Sequence, residues 1–72
     1  MNGGIEMNVI LYSTNCPMCN VLEKKLIHKD IAFDEINDVE VMRSKGFLSA
    51  PMLEVDGNIM NFKEAIDWIN SL

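Results

Sequence analysis

The stretch Cys16-Pro17-Met18-Cys19 holds the only two cysteines of this 72-residue chain. The residues before it, Val9–Tyr12, form a short apolar run typical of a buried strand, and residues 21–29 after it have helical spacing. The first cysteine therefore falls at a predicted helix N-terminus. Unpaired backbone N–H groups and the positive end of the helix dipole favour a thiolate there, which is the form of cysteine that attacks disulfides. This pattern predicts a redox-active dithiol.

Two other interpretations of the cysteine pair remain open. A structural disulfide here would close a very short loop, which the chain-entropy estimate values at about 2 kcal/mol, against nearly 5 kcal/mol for a loop of about 100 residues. A zinc site needs four ligands, whereas the chain offers two thiols and the distant His28, so a second chain would have to complete it.

The helix after the first cysteine has one apolar face. Cys19, Leu22 and Leu26 recur at i, i+3 and i+7, and this face is predicted to meet a sheet. Pro17 suits the first helical turn, because its missing N–H would have no intrahelical partner there. We therefore expect Cys19 to point inward and Cys16 to lie at the exposed tip.

The first half of the chain predicts a strand, a helix and a second, parallel strand joined by a right-handed crossover. A short helix follows, capped by Asn37 or Asp38 and stopped at Gly46, with Val39 and Met42 facing inward. The predicted ranges are about 7–13 for the first strand, 17–29 for the first helix, 32–36 for the second strand and 39–45 for the second helix.

The second half predicts an antiparallel hairpin and a closing helix. Apolar runs at residues 52–55 and 58–60 flank Asp56-Gly57, a dipeptide that strongly favours a hairpin turn. Asn61 and Glu64 have the spacing of a capping box at the start of the last helix. The predicted apolar face of that helix consists of Phe62, Ala65, Ile66, Ile69 and Leu72, with Trp68 partly buried beside it.

Size and charge exclude several classes of protein. The length suits one domain, expected over residues 7–72 with a flexible leader at 1–6, and 49% of the residues are hydrophobic. The formal charge of −5 and the lack of a basic patch argue against a nucleic-acid partner. Neither a signal peptide nor a membrane span of about 18 apolar residues is visible. We expect a cytoplasmic monomer.

The order βαβαββα with this dithiol resembles the glutaredoxin branch of the thioredoxin superfamily over about residues 7–72. The resemblance implies an α/β thioredoxin fold with a four-stranded mixed sheet flanked by three helices. It also implies a thiol-disulfide oxidoreductase that works as an electron carrier. The markers are Cys16-Pro17-Met18-Cys19 after the first strand, Ser49-Ala50-Pro51 before the third strand and Val55-Asp56-Gly57 at the hairpin turn.

The dithiol chemistry assigns Cys16 as the attacking thiolate and Cys19 as the resolving cysteine one helical turn away. The resemblance further implies a cis peptide bond at Pro51 beside the cysteines, and a backbone at Ala50 that pairs with an extended substrate. Tyr12 could border the site, although an aromatic residue at a strand end more often packs in the core. The predicted substrate-binding residues are Tyr12, Thr14, Pro17, Met18, Ala50 and Pro51.

Two electron donors are compatible with this resemblance. Glutaredoxins that bind glutathione tend to carry a Lys or Arg where this chain has Thr14, and a Gly-Gly pair where it has Asn61-Phe62. Residues 46–51 look more like the small redoxins that take electrons from thioredoxin reductase and supply ribonucleotide reductase. We expect a disulfide-containing protein as substrate, thioredoxin reductase or glutathione as donor, and no tightly bound cofactor or metal.

Other functions are also open at this stage. A small metal carrier could use the same Cys-x-x-Cys, although heavy-metal-associated domains have the order βαββαβ, and an iron–sulfur dimer would need glutathione as a co-ligand. Five acidic residues and no basic residue lie between positions 30 and 40, which predicts a solvated edge or a docking surface for a basic partner. His28 is expected to be solvated at its helix end.

Overall fold

Strands and helices follow each other in the predicted order. The computed structural model describes residues 7–72, so the expected leader of residues 1–6 lies outside the described residues. The elements are β1 (Val9–Tyr12), α1 (Pro17–His28), β2 (Asp34–Ile36), α2 (Val39–Ser44), β3 (Met52–Val55), β4 (Asn58–Met60) and α3 (Phe62–Asn70). The α/β order βαβαββα is therefore confirmed, with ends that differ by one or two residues from several predicted ranges.

The four strands form one mixed sheet in the order β2-β1-β3-β4. β1 pairs with β2 in parallel and with β3 antiparallel, and the β3–β4 hairpin adds the other edge. A parallel pair needs a long crossover, which α1 supplies. Because β1 is central, the loop that leaves its C-terminal end emerges from the middle of the sheet, and this loop leads to Cys16.

One face of the sheet packs against α1 and α3. Leu11, Leu22, Leu26 and Leu53 are fully buried in this layer, and burial of each such side chain contributes about 1.5–3 kcal/mol. The core consists of Val9, Leu11, Leu22, Leu26, Leu53, Val55, Ala65 and Ile69, with Trp68 among the partly buried residues packed against it. This packing fixes the axis of α1, and hence the position of its N-terminus, relative to β1.

Two residues predicted to face inward are exposed. Leu72 is 56% exposed, because α3 ends at Asn70 and the apolar repeat continues past the helix. Val39 is 52% exposed, because α2 is only six residues long and Met42 is its buried residue. The predictions for Leu72 and Val39 are therefore wrong, whereas that for Met42 is confirmed.

Candidate active site

Cys16 occupies the N-cap position of α1. Its backbone is extended, with φ −75° and ψ 164°, and the backbone N–H of Cys19 donates to its Sγ over 3.1 Å. Pro17 follows at the first helical position, and within the described residues no acidic side chain lies in the first turn of α1. Unpaired N–H groups at a helix start favour negative charge. A thiolate at Cys16 would therefore lie at the positive end of α1 and accept the Cys19 N–H.

The second cysteine lies one turn deeper. Cys19 is fully buried, as the helical spacing predicted, whereas Cys16, which was expected at an exposed tip, is half-buried. Their Sγ atoms are in disulfide contact, and their Cα atoms lie 4.9 Å apart. The hydroxyl oxygen of Thr14 lies 4.0 Å from the Cys19 sulfur. The two sulfurs are therefore placed to form a disulfide across the first turn of α1.

The segment before β3 brings a backbone carbonyl to the outer cysteine. The Ala50–Pro51 peptide bond is cis, as predicted, and Pro51 is buried. The carbonyl oxygen of Ala50 lies 3.9 Å from Cys16 Sγ. Residues separated by 34 positions in the sequence thus meet at the sulfur.

A groove of about 420 Å³ opens beside Cys16, between α2 and the segment before β3. Its walls are mostly apolar, and Leu48 is completely exposed while Val39 is about half exposed. Arg43 supplies a positive charge to the lining, and it forms an exposed ion pair with Glu40 over 3.7 Å. The lining residues are Thr14, Cys16, Val39, Met42, Arg43, Phe47, Leu48, Ser49 and Ala50.

The predicted substrate-binding residues occupy different places around this groove. Thr14 and Ala50 line it with Cys16. Pro17 and Met18 are exposed on the first turn of α1, with Met18 48% exposed. Their contact with substrate stays a prediction.

Tyr12 is buried beneath the site and is absent from the lining of the groove. Its ring packs edge-on against Phe47, with ring centroids 4.9 Å apart, and the Lys45 ammonium lies 5.8 Å from its centre. Its hydroxyl donates to the Glu54 carboxylate over 2.8 Å. Burial, with the hydrogen bond to Glu54 and the charge of that carboxylate, raises the pKa of Tyr12 to about 12. Tyr12 thus supports the Phe47 wall from behind.

Sequence reasoning assigned three of the nine residues that line the groove to the site and missed the other six, among them Arg43, Phe47 and Leu48. The sequence alone suggested no role for Arg43 in the site, and Phe47 and Leu48 entered only as part of residues 46–51, the segment that resembles small redoxins. The available signal was the pair of apolar residues in a loop shortly before Pro51, because exposed apolar residues next to a reactive group are typical of an interaction surface.

A metal site at the cysteines would require other potential metal ligands to cluster near them. Within residues 7–72 no group of three or more His, Cys, Asp or Glu side chains could hold a metal ion. His28 lines a separate groove of about 300 Å³ toward the other end of α1, beside Lys25 and Ile69. No helix in the described part of the chain is long and apolar enough to cross a membrane.

Comparisons with known proteins bear on the fold. No protein-family model matches the chain, and no curated protein matches it. Among solved structures, the crystal structure of a point mutant of the thioredoxin-like protein BC3987 superposes with a TM-score of 0.72 at 20% sequence identity. The match covers 90% of this chain and 92% of that chain. The chain therefore has the thioredoxin-like fold, an α/β arrangement of a four-stranded mixed sheet and three helices with a Cys-x-x-Cys pair at the start of α1.

Proposed function

We propose that this protein is a glutaredoxin-like thiol-disulfide oxidoreductase that reduces protein or small-molecule disulfides as an electron carrier. The observation that supports the proposal is the placement of the two sulfurs. Cys16 Sγ accepts an N–H at a helix start, borders an open groove and contacts a buried second sulfur. A structural crosslink would need neither the groove nor the thiolate-stabilising position.

The reaction has two exchange steps. The Cys16 thiolate attacks one sulfur of the substrate disulfide, so that a mixed disulfide forms while the other substrate sulfur leaves as a thiolate and takes a proton from solvent. Cys19, after losing its proton, then attacks Cys16 Sγ. The Cys16–Cys19 disulfide forms and the second substrate thiolate leaves. Two electrons have then moved from the protein to the substrate.

The groove supplies the surface for the substrate. An extended segment on either side of the target disulfide would pair with the backbone at Ala50, as an added strand pairs with a sheet edge. The apolar side chains Val39, Phe47 and Leu48 would bury the neighbouring residues of that segment. Met18, across the cysteines on α1, is an unbranched apolar side chain that adapts to different partners.

The oxidised protein needs an electron donor for each cycle. In this proposal it works in the cytoplasm as a monomer, without a tightly bound cofactor, and takes electrons from thioredoxin reductase or from glutathione. Thr14, which lines the groove with Cys16, stands where glutathione-binding glutaredoxins tend to carry a base. This substitution favours thioredoxin reductase as the donor.

NADPH oxidation with a disulfide substrate tests both the activity and the donor. One arm contains thioredoxin reductase, and the other contains glutathione with glutathione reductase. We expect turnover in the first arm. Turnover in the second arm alone would make glutathione the donor, whereas silence in both arms together with tight copper(I) or zinc binding would replace the proposal with a metal carrier.

Trapping the intermediate tests the order of the two cysteines. A Cys19→Ser variant should accumulate a mixed disulfide between Cys16 and the substrate, visible as a mass increase that dithiothreitol removes. The matched Cys16→Ser variant should form none. A stable adduct on Cys19 in the Cys16→Ser variant would reverse the assignment of attacking and resolving cysteines.

A further inference from the structure

Just before the active-site loop, a side-chain hydrogen bond takes the place of a backbone hydrogen bond between β1 and β2. The Ser13 N–H donates to the carbonyl of Ile36 over 3.0 Å, which extends the β1–β2 ladder by one residue. In a regular parallel ladder the carbonyl of Ser13 would next accept the N–H of Asp38. Asp38 is instead the N-cap of α2, and the Asn37 side-chain amide donates to the Ser13 carbonyl over 3.0 Å.

The orientation of the Asn37 amide is fixed by two acceptors. Its Nδ2 also lies 3.3 Å from Glu35 Oε2. Both the Ser13 carbonyl and the Glu35 carboxylate accept hydrogen bonds, so both require the NH₂ end of the amide. The sequence offered Asn37 as one of two possible helix caps, but Asp38 caps α2. Asn37 is therefore free to bridge the loops that follow β1 and β2.

The loop from Ser13 to Cys16 is short enough to transmit this constraint. Ser13 is buried, and its hydroxyl accepts the backbone N–H of Asn15 over 3.0 Å. Asn15 has a left-handed backbone with φ 62°, which asparagine tolerates better than most residues. Ser13 thus constrains Asn15, the residue before Cys16, so a shift of Ser13 would be passed to the Cys16 sulfur and its contact with the Cys19 N–H.

We propose that Asn37 is a positioning residue for the dithiol. Its amide holds the loop that presents Cys16, and because it adjoins Asp38 it also fixes this loop relative to α2, the wall of the groove. The inference rests on the proposed function, since it concerns the reactivity of Cys16 as a thiolate. Without the amide, the Ser13 carbonyl loses its partner and the contact between the Cys16 sulfur and the Cys19 N–H loosens.

Alkylation by iodoacetamide measures the predicted effect. In a Cys19→Ser background, where Cys16 is the remaining thiol, the rate is followed from acid to alkaline pH. Asn37→Ala should lower the rate at pH about 6 by about threefold to tenfold and leave the alkaline plateau unchanged, because the hydrogen bond from the Cys19 N–H to the thiolate is weakened rather than lost. Arg43, the charged residue of the groove lining, is present in all variants.

Two further variants separate positioning from stability. Asn61→Ala is the matched control, because Asn61 caps α3, so its loss destabilises the fold, and it does not line the groove beside Cys16. Asn37→Ser keeps a hydroxyl on a shorter side chain that does not reach the Ser13 carbonyl, and we expect the same direction as Asn37→Ala. Asn37 is exposed, so neither replacement removes core packing.

The outcomes distinguish this inference from the proposed function. A pH profile that shifts for both Asn37 variants and stays unchanged for Asn61→Ala supports the positioning role. If the Cys19→Ser protein with Asn37 intact reacts at low pH and the Asn37 variants have the same pH profile, the positioning role is overturned and the proposed function is not. If iodoacetamide does not alkylate the Cys19→Ser protein with Asn37 intact below pH about 8, the proposed thiolate chemistry is overturned, and the positioning role with it.

Discussion

Helices α1 and α3 begin with the same hydrogen bond made by different atoms. At α1 the Cys19 N–H donates to a sulfur, Cys16 Sγ, over 3.1 Å. At α3 the Glu64 N–H donates to an amide oxygen, Asn61 Oδ1, over 2.9 Å. The α3 start is completed by the Glu64 carboxylate, which accepts the Asn61 N–H over 2.9 Å.

The two starts differ in what occupies the positive end of the helix. In α3 the acidic Glu64 fills it, so the cap is closed and its function is stability. In the described first turn of α1 there is no acid, and Cys16 is the group that can become negative there. Cysteine is also absent from the preferred cap residues. In α1 a weaker cap residue thus leaves a sulfur, rather than a carboxylate, at the positive end of the helix.

Replacing the α1 cap by a better cap should separate stability from activity completely. Cys16→Ser introduces a preferred N-cap residue, so the free energy of unfolding of the reduced protein should stay equal or rise. Disulfide reduction should fall to the uncatalysed rate, because a hydroxyl at this position is not a nucleophile of comparable strength. Denaturant unfolding and NADPH-coupled reduction are measured on the same preparation. Residual turnover, or a large loss of stability, would break the comparison.

Tyr12 tests whether the fold favours ionisation of every acidic group near Cys16 or only of Cys16 itself. Burial and Glu54 raise the pKa of Tyr12 from 10.0 to about 12, so here the fold resists ionisation. The unfolded chain loses the phenol proton first, and the stability that Tyr12 contributes is full below pH about 10 and is lost as the pH rises through about 12. Tyr12 is the only tyrosine, so the ultraviolet absorbance of tyrosinate reports it directly.

Glu54→Gln provides the control for this titration. The amide oxygen still accepts the hydroxyl, but the carboxylate charge is gone, so the pKa of Tyr12 should fall part of the way back toward 10.0. A midpoint near 10.0 in the parent protein would contradict the buried hydrogen bond between Tyr12 and Glu54.

An acid placed in the first turn of α1 should make this start resemble that of α3. Met18→Glu puts a negative charge beside Cys16, which should reduce the thiolate fraction and slow iodoacetamide alkylation near neutral pH by about threefold to tenfold. Met18→Gln has the same shape without the charge and should react like the parent. Equal rates for the two variants would show that helix-end charge does not set the reactivity of Cys16.

Removing the α3 cap should have the smallest effect and only on stability. Asn61→Ala removes the side-chain acceptor of the capping box and should cost about 1 kcal/mol, or a fall in Tm of about 4–8 °C for a domain of this size. The alkylation rate of Cys16 should remain that of the parent. A changed alkylation rate would mean that the two helix starts are coupled through the core.

Features encoded by neighbouring residues were predictable from the sequence. The hairpin at Asp56-Gly57 forms with φ values of 50° and 87°, and asparagine and glutamate three positions apart form the α3 capping box. The helical spacing of Cys19, Leu22 and Leu26 predicted their burial correctly. In each case the deciding interactions lie within a few residues.

Features that depend on how distant loops meet were not predictable in the same way. The groove exists because residues 47–50 pass beside α2, which leaves Leu48 and Val39 exposed at Cys16. The bond from Asn37 to Ser13 spans 24 positions, and local rules suggested a helix cap for Asn37. The approach of Ala50 to Cys16 was expected only through the resemblance to glutaredoxins.

Helix α2 is held to the rest of the protein by few buried side chains, and this has a consequence for its motion. All six residues of α2 are described, and Met42 is its one buried side chain, whereas α1 buries three residues and α3 two. Local opening costs less where fewer apolar contacts are broken. Amide hydrogens of α2 should therefore exchange with solvent faster than those of α1, and the groove should widen more easily on the α2 side than on the side of the sulfur pair.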